Sequence, residues 1–351
     1  MIAQLGQAQN LTLQVSGGAG GVPAGATAVV LNVTVTQATA FSYLTVYPAD
    51  TSRPLASNIN FVSGDTRPNA VTVRLSPDGK IKLYNHAGAT HVIADVAGWY
   101  DSNASGGNRY NPKDPTRILD TRNGTGSVSG PLAGGEANTL TFEMPGAVVP
   151  TGATAVVLNV TVTQPTASSF LTLYPADASS RPTASNLNFV AGQTVPNLVT
   201  VKLSPLGQIK IYNHLGSTHV ILDVAGWYGA TGQLFHSVTP WRLLDTRNGT
   251  GGPLGAMSEL SLTVTGVGGL PASNVPAVVV NATVTLPSAA SFLTLFPSDT
   301  SRPNASNLNY VAGLTVANLA ITKVGPDGKI KIYNHLGSTH VIVDAAGWFG
   351  P

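Results

Sequence analysis

One pattern is written three times along this chain, so any fold it adopts must be assembled from a single supersecondary unit used three times. Thr27–Thr36 (TAVVLNVTVT) returns as Thr154–Thr163 and, with changes, as Ala277–Thr285 (AVVVNATVT). Tyr43–Pro48 (YLTVYP) returns as Phe170–Pro175 and Phe292–Pro297, and Ser52–Phe61 (SRPLASNINF) as Ser180–Phe189 and Ser301–Tyr310. The copies close on Lys80–Tyr100 (KIKLYNHAGATHVIADVAGWY), Gln208–Tyr228 and Lys329–Phe349. The 351 residues thus divide into units of roughly 115, each long enough for a core of its own.

Within a copy the apolar residues alternate. Val156, Leu158, Val160 and Val162 fall on one face and Asn159, Thr161 and Thr163 on the other, which predicts a strand with one face in a core. The same reasoning predicts strands at Leu171–Tyr174, Leu187–Val190, Leu198–Leu203, Gln208–Tyr212 and His219–Val224. Turn signals separate the runs: Ser76–Gly79 (SPDG), Gly325–Gly328 (GPDG) and an Asn-His-x-Gly at each YNH site. No stretch has helical periodicity. Abundant Val and Thr suit pleated strands, and 38 Gly with 24 Pro suit turns. Seven or eight short strands per copy predict an all-β chain of three tandem β-sandwich (jelly-roll-like) domains, covering residues 1–101, 109–229 and 236–351.

Other classes are excluded by what is missing. A formal charge of +2 with no basic cluster argues against a nucleic-acid partner. Without cysteine there is neither a disulfide framework nor a thiolate metal site. No run approaches 18 apolar residues, so no membrane span is expected. Met1-Ile2-Ala3-Gln4 carries neither a basic region nor an apolar run, so no signal peptide is visible, and if the protein is exported this sequence is its mature form or a fragment. No cofactor is expected.

A second motif recurs, but only twice. After the polar linkers Asp101–Asn108 and Gly229–Gln233 come Arg117–Gly126 (RILDTRNGTG) and Arg242–Gly251 (RLLDTRNGTG). Met1 aligns downstream of this element, so the first core lacks it. The element either packs on the core before it or belongs to the core after it. Both assignments leave one unpaired sheet edge in the array, a route to head-to-tail association with neighbouring copies of the same kind of domain. Arg117, Asp120 and Arg122, with Arg242, Asp245 and Arg247, are therefore the candidate residues of an inter-domain joint. An Asp followed so closely by Arg fits an ion pair beside an Asn-Gly turn better than a calcium loop.

Taken together, R-[IL]-L-D-T-R-x-G-x-G, V-V-L-N-V-T-V-T, S-R-P-x-A-S-N-x-N-F and Y-N-H-x-G-[AS]-T-H-V-I-x-D-V-A-G-W-Y resemble a repeat of secreted and cell-surface actinobacterial proteins. In that family the repeat is strung in arrays or appended to exported modules, including cell-wall and polysaccharide hydrolases. The resemblance spans nearly the whole chain. It implies a secreted or cell-surface location and a non-catalytic, modular role, and it brings no catalytic residues. The departures are the missing LDTR element before the first copy, and Ala282 and Ala345 where the other copies have valine.

Three kinds of chemistry are worth weighing. Each copy has a serine (Ser57, Ser185, Ser306), a histidine (His91, His219, His340) and an aspartate four residues later (Asp95, Asp223, Asp344). In a strand, positions i and i+4 lie about 13 Å apart, too far for the Asp to orient that His, and no G-x-S-x-G elbow is present. The chain is not expected to be an enzyme. His86 and His91 flank a tight turn and, with Asn85 or Asp95, could offer zinc ligands, but the spacing matches no zinc pattern. The simpler role is hydrogen bonding around the hairpin. A polysaccharide surface would use aromatics with Arg and Asn: Trp99, Trp227, Trp348, Arg53, Arg181, Arg302, Asn58, Asn186 and Asn307 are the candidates, weighed against core packing and corner capping. The sequons at Asn32 and Asn159 fit strand alternation. The sequence therefore predicts an extracellular structural or adhesive repeat module of a surface array or filament, the alternative being a carbohydrate-binding array attached to a secreted hydrolase.

Overall fold

The computed structural model describes residues 4–18, 20–102, 107–248 and 251–351. Residues 1–3, residue 19, residues 103–106 of the first linker and residues 249–250 of the second LDTR element lie outside them.

The first copy contributes β1 (Asn10–Gln14), β2 (Ala26–Thr36), β3 (Ser42–Pro48), β4 (Ile59–Phe61), β5 (Arg67–Arg74), β6 (Lys80–Asn85) and β7 (His91–Asp101). The second contributes β8 (Arg109–Asp120), β9 (Leu132–Ala133), β10 (Leu140–Glu143), β11 (Ala155–Thr163), β12 (Ser169–Pro175), β13 (Leu187–Phe189), β14 (Val195–Lys202), β15 (Gln208–Asn213) and β16 (Ser217–Gly229). The third contributes β17 (Leu234–Asp245), β18 (Ser258–Thr263), β19 (Ala277–Thr285), β20 (Ser291–Pro297), β21 (Leu308–Tyr310), β22 (Val316–Lys323), β23 (Lys329–Asn334) and β24 (His340–Gly350). Single 3-10 turns at Glu136–Asn138 and Thr246–Asn248 are the helical structure among the described residues. The protein is all-β.

Every copy builds two antiparallel sheets. The outer ones run β1-β6-β3-β4, β10-β15-β12-β13 and β18-β23-β20-β21. The inner ones run β5-β2-β7, β14-β11-β16-β8 and β22-β19-β24-β17. Between the two sheets of each copy lies one apolar cluster: Val29, Leu31, Leu44 and Ile81 in the first, Val156, Leu158, Leu171 and Ile209 in the second, Val278, Val280, Leu293 and Ile330 in the third. The alternating residues of the strand signatures supply these cores, as the period-two pattern predicts.

The polar face of the same strands departs from expectation. Asn159 and Thr161 are buried, as are Asn32, Thr34, Asn281 and Thr283. The inner sheets turn these faces toward one another, and the copies close into a ring. Asn197 of β14 donates to Asn32 Oδ1 of β2 (2.8 Å) and accepts from the Ala70 N–H of β5 (3.0 Å). Asn318 of β22 repeats this toward Asn159 (3.0 Å) and Leu198 (3.3 Å), and Asn69 of β5 toward Asn281 (2.9 Å) and Leu319 (3.0 Å). Asn32, Asn159 and Asn281 each donate onward to the backbone carbonyl of Ser185, Ser306 and Ser57. Six asparagines thus link first to second, second to third and third back to first. Ala70, Leu198, Leu319, Val157 and Val279 form a further apolar cluster between the copies. A face that alternation assigns to water is here an interface, with its amides satisfied as burial requires.

Candidate functional site

The LDTR element joins the core that follows it. β8 pairs with β16 and β17 with β24, each at the end of an inner sheet. Opposite Arg117 lies Asp223, and opposite Arg242 lies Asp344. The Arg117 guanidinium grips Asp223 with two hydrogen bonds (Nε to Oδ1 2.8 Å, Nη2 to Oδ2 3.1 Å), and Arg242 grips Asp344 at 2.5 and 3.3 Å. Burial pushes both aspartates up against the pull of their arginines. Such a fork supplies geometric selectivity as well as energy.

The rest of the motif fastens the strand to its own sheet. Arg122 and Arg247 fold back onto Asp120 and Asp245 (Nη2 to Oδ2 2.6 Å in both). Those hydrogen bonds hold the Asp120 carboxyl below the usual range and bring Asp245 to about 2. The threonine of LDTR then reaches across to the neighbouring strand. Thr121 Oγ1 lies 2.9 Å from His219 Nδ1 and accepts from the Val220 N–H at 3.0 Å; Thr246 does the same with His340 and Val341.

Prolines Pro112 and Pro115 in β8 and Pro240 in β17 remove ladder donors from the strands that end these sheets, so they resist further pairing. β7 is different: its sheet stops at β5-β2-β7, and its sequence, HVIADVAGWYD, holds no proline. Ile93, Val96 and Trp99 are 49%, 38% and 45% exposed, while Ile221, Val224, Ile342 and Ala345 at matching positions are at most 7% exposed. Asp95 matches Asp223 and Asp344, yet no described cation pairs with it, and burial alone raises its carboxyl.

An aromatic cluster marks the same place. Tyr110 of β8 stacks on Phe349 of the third copy (centroids 4.2 Å apart), and Phe235 of β17 stacks on Tyr100 of the first (4.1 Å). Each LDTR strand therefore sends a ring onto the last aromatic of the next copy round the ring. Tyr228 of the second copy is the third such aromatic; its hydroxyl is 2.5 Å from that of Tyr100, and its ring lies 5.3 Å from Tyr110 of its own copy, tilted. Gly226 and Gly347 are packed so closely by Tyr110 and Phe235 that a Cβ would clash, whereas Gly98 has open space in the same direction.

The candidate inter-domain joint residues instead bond mainly within their own copies, Arg117, Asp120 and Arg122 with Asp223 in the second and Arg242, Asp245 and Arg247 with Asp344 in the third; Arg242 alone also reaches another copy, at the Leu55 carbonyl of the first (3.0 Å). The candidate sugar-binding residues have differing surroundings. Trp99 is exposed, Trp227 packs on the second core, and Trp348 packs on the third while stacking on His236. Asn58, Asn186 and Asn307 accept from the backbone N–H of Val46, Leu173 and Leu295, which commits them to corners of the fold. Arg53, Arg181 and Arg302 lie over Tyr84, Tyr212 and Tyr333 at 3.8–4.0 Å. Beside those tyrosines, His86, His214 and His335 stack on Tyr43, Phe170 and Phe292. The Phe170–His214 and Phe292–His335 pairs line a cleft of about 780 Å³ between the copies.

The Ser/His/Asp sets do not assemble: His219 goes to Thr121, Asp223 to Arg117, and the Ser185 hydroxyl to Asn188. His214 and His335 bond tyrosine hydroxyls rather than the hairpin backbone. Among the described residues no group of three or more His, Asp or Glu could hold a metal ion. What the sequence left unmarked was the asparagine ring. Its signal was an Asn at one strand position in every copy (Asn69, Asn197, Asn318; Asn32, Asn159, Asn281).

No protein-family model matches the chain, and no curated protein sequence matches it. Among solved structures it is similar to a chain from the triple jelly roll fold and turret assembly of an archaeal virus, at 10% identity over 97% of this chain and 82% of that one, with a TM-score of 0.21. It is similar also to a chain of Sulfolobus Turreted Icosahedral Virus, at 11% identity over the same shares and the same TM-score of 0.21. Likeness at that level carries no argument about fold or function.

Proposed function

We propose that this chain is a non-catalytic structural module of an exported array or filament, three jelly-roll-like sandwiches locked into one block. The domains correspond to residues 1–101, 109–229 and 236–351, the last extended to Leu234 by the pairing of β17. The observation that carries this reading is the asparagine network that locks the three inner sheets face to face. A block of this kind contributes shape and attachment, not chemistry. The motif resemblance supports a secreted or cell-surface setting and attachment to neighbouring repeat domains.

The cleft beside the Phe–His stacks favours the second reading, a carbohydrate-binding array. A glycan array and a cell-wall pull-down separate the two. The structural reading expects no retained polysaccharide. Strong binding that disappears in folded variants with Trp99, Trp227 and Trp348 replaced would overturn it in favour of the second.

A further inference from the structure

We infer that the cleft between the copies is a binding site for one small amphipathic carboxylate, a single carboxylate carried on an apolar ring, with Arg67 as its charged contact. Such a site goes beyond the reading of the chain as a structural module, which does not depend on it. At about 780 Å³ the cleft has the size of a small-molecule site. All three copies line it: residues 64–68 of the first, residues 192–196 of the second, and Leu314, Val316 and Ala317 of the third. These segments hold the first residues of β5, β14 and β22, strands that contact one another pairwise. The three first residues are Arg67, Val195 and Val316. One repeated position thus carries two apolar side chains and one cation.

Arg67 is placed to receive an anion. Its side chain is 12% exposed, and its ion-pair partner among the described residues is Asp65, met through Nη2 at 3.1 Å. The same Asp65 oxygen also accepts from the Val62 N–H (3.0 Å). A guanidinium has five N–H donors. Among the described residues, the buried side-chain atoms left without a hydrogen bond are threonine hydroxyls, so the remaining Arg67 donors open into the cleft. Burial pulls the guanidinium below its usual value against the pull of Asp65, and a second carboxylate would offset a charge that one shared oxygen only partly meets. The walls suit an apolar ring. Phe170 and Phe292 face the cleft, each stacked on its histidine, and Val190 and Val311 are exposed at its edge. The hydroxyls of Thr66, Thr194, Ser169 and Ser291 also line it but are bonded to Thr36, Thr163, Asn213 and Asn334. Among the described lining residues, Arg67 is the one arginine or lysine.

The probe is cinnamate, titrated into the purified full chain by calorimetry, with the uncharged cinnamamide as its control of the same shape. One cinnamate is expected to bind per chain, at least about tenfold more tightly than the amide, as a charge-assisted contact implies. Asp65→Gln with Arg67→Val installs the residues that stand at these positions in the second copy, Gln193 and Val195, and leaves the net charge unchanged. This double variant should keep its melting temperature and bind both compounds equally. Should it melt early, Val311→Asp decides: at an exposed position it should leave folding intact and weaken cinnamate severalfold by repulsion, with less effect on the amide. No cinnamate binding at about 1 mM overturns the inference. So do equal binding of cinnamate and cinnamamide by the unmodified chain, a preference that survives in the folded double variant, and an affinity that Val311→Asp leaves unchanged. Tighter binding of glucuronate, whose ring is polar, overturns it as well. The glycan array reads retention of polysaccharide instead, so the structural reading stands or falls apart from this site.

Discussion

Asp95, Asp223 and Asp344 occupy one position in three copies and face different company. The latter two are buried under bidentate arginines, and removing one member of such a pair leaves the other charge desolvated and unpaired. That loss costs about 3–5 kcal/mol. Asp95 has no described cation, and its carboxyl is raised by burial alone, so its charge opposes folding slightly in the chain by itself. A raised carboxyl is neutralised as pH falls, which favours the folded state; replacing it with an uncharged amide has the same sign. Asp223→Asn is therefore expected to destabilise by several kcal/mol in urea unfolding at pH 7. Asp95→Asn is expected to be neutral or stabilising by less than about 1 kcal/mol. Equal losses at the two sites would mean that Asp95 is already paired.

At the scale of the strand, the same asymmetry appears in backbone space. Gly226 admits no Cβ because the Tyr110 ring and the Asn111 carbonyl lie against it, while Gly98 faces nothing within 4 Å. Gly226→Ala should force β8 away from β16 and cost about 1–3 kcal/mol, whereas Gly98→Ala should leave the melting temperature unchanged. The repeated glycine at this point was visible in the sequence, but its reason was not. Strands and turns were legible because Val156, Leu158, Val160 and Val162 announce their face by local alternation. The partner of the LDTR strand was not legible: Arg117 meets Asp223 across 106 residues of chain, and spacing alone permits pairing with the core before or after.

For the whole molecule, alternation was blind in a second way, because a polar face against water and a polar face against another copy have the same period. Asn197 shows the consequence. Its carboxamide donates to the Asn186 carbonyl in its own copy and to Asn32 in the first, and it accepts from the Ala70 N–H. Asn69 and Asn318 do the same in turn round the ring. Opening one copy away from the others would strand buried amides on both sides, each costing about 1–3 kcal/mol. The three copies should consequently unfold together. Calorimetry is expected to give one endotherm with matching van't Hoff and calorimetric enthalpies, in contrast to the three transitions of independent beads. Asn197→Ala should lower stability by about 2–4 kcal/mol, and the triple variant Asn69→Ala, Asn197→Ala, Asn318→Ala should broaden or split the endotherm while each copy keeps its own two-sheet core. Three resolved transitions in the unmodified chain would show that the asparagine ring does not couple the copies and that they behave as a flexible string rather than one block.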